Sequence, residues 1–117
     1  MSYLLLVIEP PGQRATRSQE QGEEAFAQML RFAADLKARN LLLGTNSLTS
    51  DTCGVRVQVR AGQRRLLDGP FTEAKEMVGG YFLLDCATRD EAVAIAAQCP
   101  AAAWATVEVR ETGPCYM

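Results

Sequence analysis

Residues 80–86 read Gly80-Tyr81-Phe82-Leu83-Leu84-Asp85-Cys86. Tyr81 and Leu83 alternate with Phe82 and Leu84, so the strand they predict is apolar on both faces. Such a strand belongs at the centre of a sheet. Tyr3–Ile8 has the same character, and Pro10-Pro11-Gly12 ends it. C-terminal to residue 86, Thr88 and Glu91 have capping-box spacing. Ala92, Val93, Ile95 and Ala96 then predict a short helix that stops at Cys99-Pro100. Ala105–Glu111 predicts a last strand with Val107 and Val109 inward.

Towards the N-terminus, Val55, Val57 and Val59 alternate with Arg56, Gln58 and Arg60. This is the pattern of a half-buried strand with one wet face. Ala61-Gly62 turns the chain, and Arg64–Leu67 returns as the hairpin partner. Leu41–Gly44 predicts a short strand, and Thr45–Gly54 reads as polar and irregular. Ser18 and Gln21 form a second capping-box pair. Phe26, Met29, Leu30, Ala33 and Leu36 follow at helical spacing, so a helix is expected from about Gln19 to Arg39. Asp35 and Arg39 stand in the favourable i,i+4 order, and Asn40 is the expected stop.

The order is strand, helix, strand plus hairpin, strand, helix, strand. It predicts an α+β, ferredoxin-like βαββαβ domain with an inserted β-hairpin. One domain is expected over residues 1–117. The two central positions of that topology fall on the two strands that are apolar on both faces. Two helices cover only one side of the sheet. The uncovered apolar face predicts a homodimer packed through its sheet faces.

Composition narrows the function classes. Net charge is −2 and no basic stripe stands out, which argues against nucleic acid. The opening apolar run is too short for a membrane span and carries no basic lead, so a cytoplasmic protein is expected. With no histidine in the chain and four cysteines spread over positions 53, 86, 99 and 115, no zinc motif is present. Cys86 and Cys99 read as core residues, and Cys53 and Cys115 as loop residues. Serine and cysteine triads that rely on histidine are excluded. No cofactor motif appears: Gly79-Gly80 precedes a strand, whereas a phosphate loop opens a helix.

The chemistry-bearing stretch is Asp68-Gly69-Pro70-Phe71, followed by Thr72-Glu73-Ala74-Lys75-Glu76. Proline fixes its own φ and restricts the residue before it. A turn aspartate usually accepts the N–H two residues on. Here that residue is Pro70, which has none. Asp68 therefore either caps the N–H of Phe71 or Thr72, or presents its carboxylate to a pocket as base, acid or ligand anchor. Pro70 suits the first position of a short helical turn over Thr72–Glu76, with Phe71 as its anchor in the core. Lys75, Glu76 and Tyr81 are candidate ligand-binding residues. Lys75 could pair with Asp68 or hold an anion. Asp68, Glu73 and Glu76 have no diagnostic cation-binding spacing. Gly79-Gly80 marks a bulge or a close backbone approach.

The run Leu67–Glu76, with Gly79–Asp85, closely resembles the YCII-related proteins of the DGPF group. The similarity extends through Thr88–Pro100, Thr106–Arg110 and the opening Tyr3–Ile8 strand. The resemblance implies the dimeric α+β barrel type of ferredoxin-like fold. Some relatives look like hydrolases or dehalogenase-related enzymes built on a His–Asp pair. This chain matches only the aspartate, through Asp68. The group's gene context implies a functional link to an alternative sigma factor. Two functions are therefore expected as alternatives. One is a dimeric small-molecule-binding or accessory protein. The other is an enzyme with Asp68 as general base and Lys75 or Tyr81 steadying negative charge.

Overall fold

The computed structural model describes residues 2–116. Four strands form one antiparallel sheet: β1 (Ser2–Glu9), β2 (Leu42–Ser47), β5 (Met77–Asp85) and β6 (Thr106–Glu111). Their order is β2-β5-β1-β6, so the two strands with apolar residues on both faces are central, as expected. β3 (Val55–Arg60) and β4 (Gln63–Asp68) form a separate two-stranded sheet. Helices α1 (Gln19–Ala38) and α2 (Arg89–Gln98) complete the ferredoxin-like α+β fold.

Both helices start where their caps predict. Ser18 Oγ accepts the Gln21 N–H at 3.1 Å, and Gln21 Oε1 accepts the Ser18 N–H at 2.9 Å. Thr88 Oγ1 accepts the Glu91 N–H at 3.1 Å. Asn40, with φ of 56°, takes the left-handed conformation that follows many helices. Asp35 and Arg39 pair at 3.1 Å.

Alternation along the central strands builds the core. Tyr3, Leu5 and Val7 of β1 and Phe82 and Leu84 of β5 are buried beneath Phe32 and Leu36 of α1 and Ala92, Ile95 and Ala96 of α2. Phe32 meets Phe82 edge to face at 5.1 Å. Cys86 and Cys99 lie in this core, whereas Cys53 and Cys115 are exposed. On the opposite face, Leu4, Leu6, Ile8, Tyr81 and Leu83 are half-buried with no helix over them.

Three segments depart from the sequence-based reading. β2 runs on to Ser47 because Asn46 and Ser47 pair with Tyr81 and Gly80 of β5. β5 begins at Met77, not Gly80, because Met77 and Val78 pair with Glu9 and Ile8. That pairing stretches the segment expected to be a helical turn. It leaves a single Ala74 N–H bond to the Phe71 carbonyl, at 2.9 Å.

The largest departure is the hairpin. All twelve residues of β3 and β4 are exposed, including Val55, Val57, Val59, Leu66 and Leu67 at 53–60%. The alternation is real, but the valine face has no partner among the described residues. The projecting arm makes the molecule broad and thin, 46 × 42 × 19 Å. The radius of gyration is 15.9 Å, against roughly 13 Å for a compact chain of this length.

Candidate functional site

Glu9 closes β1 on its core-facing side, in line with Tyr3, Leu5 and Val7, and is the one buried charged residue among those described. A buried carboxylate must be paired and hydrogen-bonded. Its partner is Arg14, on the 3-10 turn Arg14–Thr16 that follows the Pro10-Pro11 corner. Arg14 Nε donates to Glu9 Oε1 at 2.6 Å and a terminal nitrogen donates to Oε2 at 3.2 Å, a forked pair. The remaining donors reach the Leu48 carbonyl at 2.7 Å and the Gly79 carbonyl at 3.3 Å. One guanidinium thus ties the ends of three strands together.

Gly79 explains how this fits. The β1–β5 register slips between Val7 and Ile8, which pair with Gly80 and Val78 and leave Gly79 as the bulged residue. A Cβ at Gly79 would collide with the Glu9 carboxylate and crowd Arg14. Bulge and close approach, posed as alternatives by the sequence, occur together.

Beside this pair, α1 stands off the sheet and encloses a cavity of about 440 Å³. Val7, Phe26, Met29, Leu30, Phe82 and Trp104 supply apolar walls, and Glu9, Arg14 and Arg17 are its charged groups. The Arg17 guanidinium lies 5.5 Å from the centre of the Trp104 ring. Phe26 and Leu30 are 50% and 54% exposed at its rim, so the cavity opens to solvent. A second, shallower hollow of about 420 Å³ lies across Glu9 and Trp104, which line both.

The residues singled out from sequence divide among these places. Lys75 and Glu76 line the second hollow, with Ile8, Pro10 and Thr106. Tyr81 borders the first cavity although it alternates with core-facing Phe82 onto the helix-free face, and its hydroxyl accepts from Asn46 Nδ2 at 3.1 Å. Asp68 is the last residue of β4, exposed, paired across the hairpin with Val55, and lines neither. The Gly69-Pro70 peptide is cis, and the Gly69 N–H donates to the Gly54 carbonyl at 2.8 Å. Phe71 packs outside the core, half-buried against Gly54, with the Arg56 guanidinium 4.0 Å above its ring. The Asp-Gly-Pro-Phe corner therefore closes the base of the hairpin.

Glu9, Arg14, Arg17 and Trp104 were not singled out from sequence. A usable signal existed for the first two. Glu9 falls on the buried phase of an otherwise apolar alternation, and a lone carboxylate there demands a nearby cation. Nothing local marks Arg17 or Trp104, which come from opposite ends of the chain.

Comparison with known proteins agrees with this architecture. The model of the YCII-related domain matches residues 1–114. An uncharacterized protein of Rhizobium meliloti (strain 1021) is 28% identical over 93 residues, covering 80% of this chain and 75% of that protein. Among solved structures, 5-chloro-2-hydroxyhydroquinone dehydrochlorinase from Burkholderia phenoliruptrix AC1100, in complex with 2,5-dihydroxybenzoquinone, is similar in fold. The TM-score is 0.55 at 18% identity, covering 97% of this chain and 94% of that one.

Proposed function

We propose that this chain, which belongs to the YCII-related family, is a homodimeric protein that binds a small organic molecule between α1 and the sheet. One observation carries the reading: the open, largely apolar cavity of about 440 Å³ with a few convergent polar groups, the usual make-up of a small-molecule site. The solved relative of similar fold holds a compound of this size class, 2,5-dihydroxybenzoquinone.

Dimerisation is supported by the uncovered sheet face bearing Leu4, Leu6, Ile8, Tyr81 and Leu83, and by the exposed valine face of the hairpin. A two-stranded hairpin is marginal alone in water. A second copy packed on these surfaces would bury the area that both lack. Light scattering after size exclusion is expected to give twice the 12.8 kDa chain mass. A monomer at micromolar concentration would overturn this half of the proposal.

Binding is tested with the chain's single tryptophan, Trp104, which lines the cavity. Saturable quenching of its fluorescence by 1-naphthoate or 1-naphthamide is expected. Ala25→Phe, which fills the cavity from α1, should abolish it. Absence of saturable quenching by either compound refutes the reading.

The similarity in fold to a dehydrochlorinase motivates a second reading, an enzyme with Asp68 as general base. Within one chain Asp68 lines neither hollow, so this reading calls for a second copy to bring ligand and carboxylate together. Retained turnover in Asp68→Asn, once a substrate is in hand, would eliminate it.

A further inference from the structure

We propose that the cavity under α1 takes its ligand as an anion, a small ring-containing organic acid whose acid group is received by Arg17. This rests on reading the cavity as the ligand site, and it adds the charge of what binds there.

The charged lining consists of Glu9, Arg14 and Arg17. Glu9 and Arg14 neutralise each other through their forked pair, and Arg14 spends its other contacts on the Leu48 and Gly79 carbonyls. Arg17 differs. Among the described residues no carboxylate pairs with it, and no protein acceptor takes a hydrogen bond from its guanidinium. It lies against the face of Trp104. A guanidinium within cation–π reach of an indole is attracted by the ring while its N–H donors stay available. The cavity thus carries one uncompensated positive charge with uncommitted N–H donors.

The helix adds the same sign. Gly22, in the first turns of α1, also lines the cavity, so the positive end of the helix runs along it. Glu20, Glu23 and Glu24 of those turns are exposed, and none lines the cavity. Lys75 and Glu76 face the other hollow.

These charges discriminate between ligands of equal shape. A neutral apolar guest would strip water from Arg17 and leave its donors unmet, which is costly. A carboxylate or an acidic phenolate replaces that water with charge-assisted bonds, while its ring covers Phe26, Met29, Leu30 and Phe82.

The test uses a matched pair, 1-naphthoate and its neutral isostere 1-naphthamide, titrated by calorimetry into the intact protein. Naphthoate should bind about tenfold or more tightly than naphthamide. Arg17→Gln should remove that preference by weakening naphthoate, and Arg17→Lys should restore part of it. Equal affinity of the wild-type protein for both compounds overturns the inference while leaving the site intact. So does naphthoate binding that survives Arg17→Gln. Failure of both compounds to bind refutes the site itself. The wild-type comparison needs no variant, so it decides the matter even if Arg17→Gln folds poorly.

Discussion

Removing the guanidinium of Arg14 should cost this protein more than removing the carboxylate it serves. Arg14→Met keeps the aliphatic stem but leaves Glu9, 8% exposed, as a buried charge without a partner. Breaking a fully buried pair this way costs about 3–5 kcal/mol. The Arg14 side chain is 34% exposed, so water reaches one side of the pair and the expected loss is about 2.5 kcal/mol. With an unfolding entropy near 2.1 cal/mol/K per residue, that lowers Tm by about 10 °C for 117 residues. Glu9→Gln preserves shape and leaves Arg14 its two carbonyl acceptors, so its loss should be about 1–1.5 kcal/mol. In the double variant no charge is stranded, and the total should fall short of the summed single losses by about 1–2 kcal/mol. Urea unfolding of the four proteins measures this coupling. Additivity within about 0.5 kcal/mol would mean that the pair does not hold the strand ends together, and the account of Glu9 would fail.

The glycines and thiols give further tests. Gly22→Ala should stabilise the protein by roughly 0.5–1 kcal/mol, because its Cβ meets nothing within 4 Å and alanine favours a helix. Gly69→Ala should instead destabilise by about 2 kcal/mol or more, since its Cβ would strike the Asp51 carbonyl of the backbone. Thermal melts of both variants check the opposite signs. Burial pushes the Cys99 and Cys86 thiols up, so a thiol reagent at neutral pH should modify Cys53 and Cys115 rapidly and the buried pair only on unfolding. Their contribution to stability is complete below the ordinary thiol range and is lost as pH rises through the raised values. Alkaline destabilisation should therefore be weaker in Cys99→Ala than in the wild type.

The fold was legible because its determinants are local or periodic. The Ser18 and Thr88 caps, the two-faced strands at Tyr3 and Gly80 and the stop at Asn40 each act within a few residues. Strand ends were less legible. Ser47 and Met77 are strand residues only because β5 passes beside β2 and β1. The hairpin was found, but its exposure was not, since alternation marks an apolar face without saying whether anything in the chain covers it. The cavity was the least legible part. Arg14 and Arg17 lie in a polar connection, Trp104 follows a 3-10 turn, and neither segment has a period to read. The Asp-Gly-Pro-Phe run was conspicuous because its backbone demands are severe, and those demands concern the hairpin's base.

That base has a consequence of its own. The chain enters the hairpin at Gly54 and leaves it at Gly69, and one hydrogen bond joins those two residues. Everything between them is a loop whose ends already touch, so its length and sequence can change without shifting the register of β2 or β5. The arm behaves as an exchangeable cassette. Grafting a different hairpin between Gly54 and Gly69 would change the arm's exposed face while Glu9, Arg14, Arg17 and Trp104 stay in place. The surface of the arm and the lining of the cavity can then diverge independently on one scaffold.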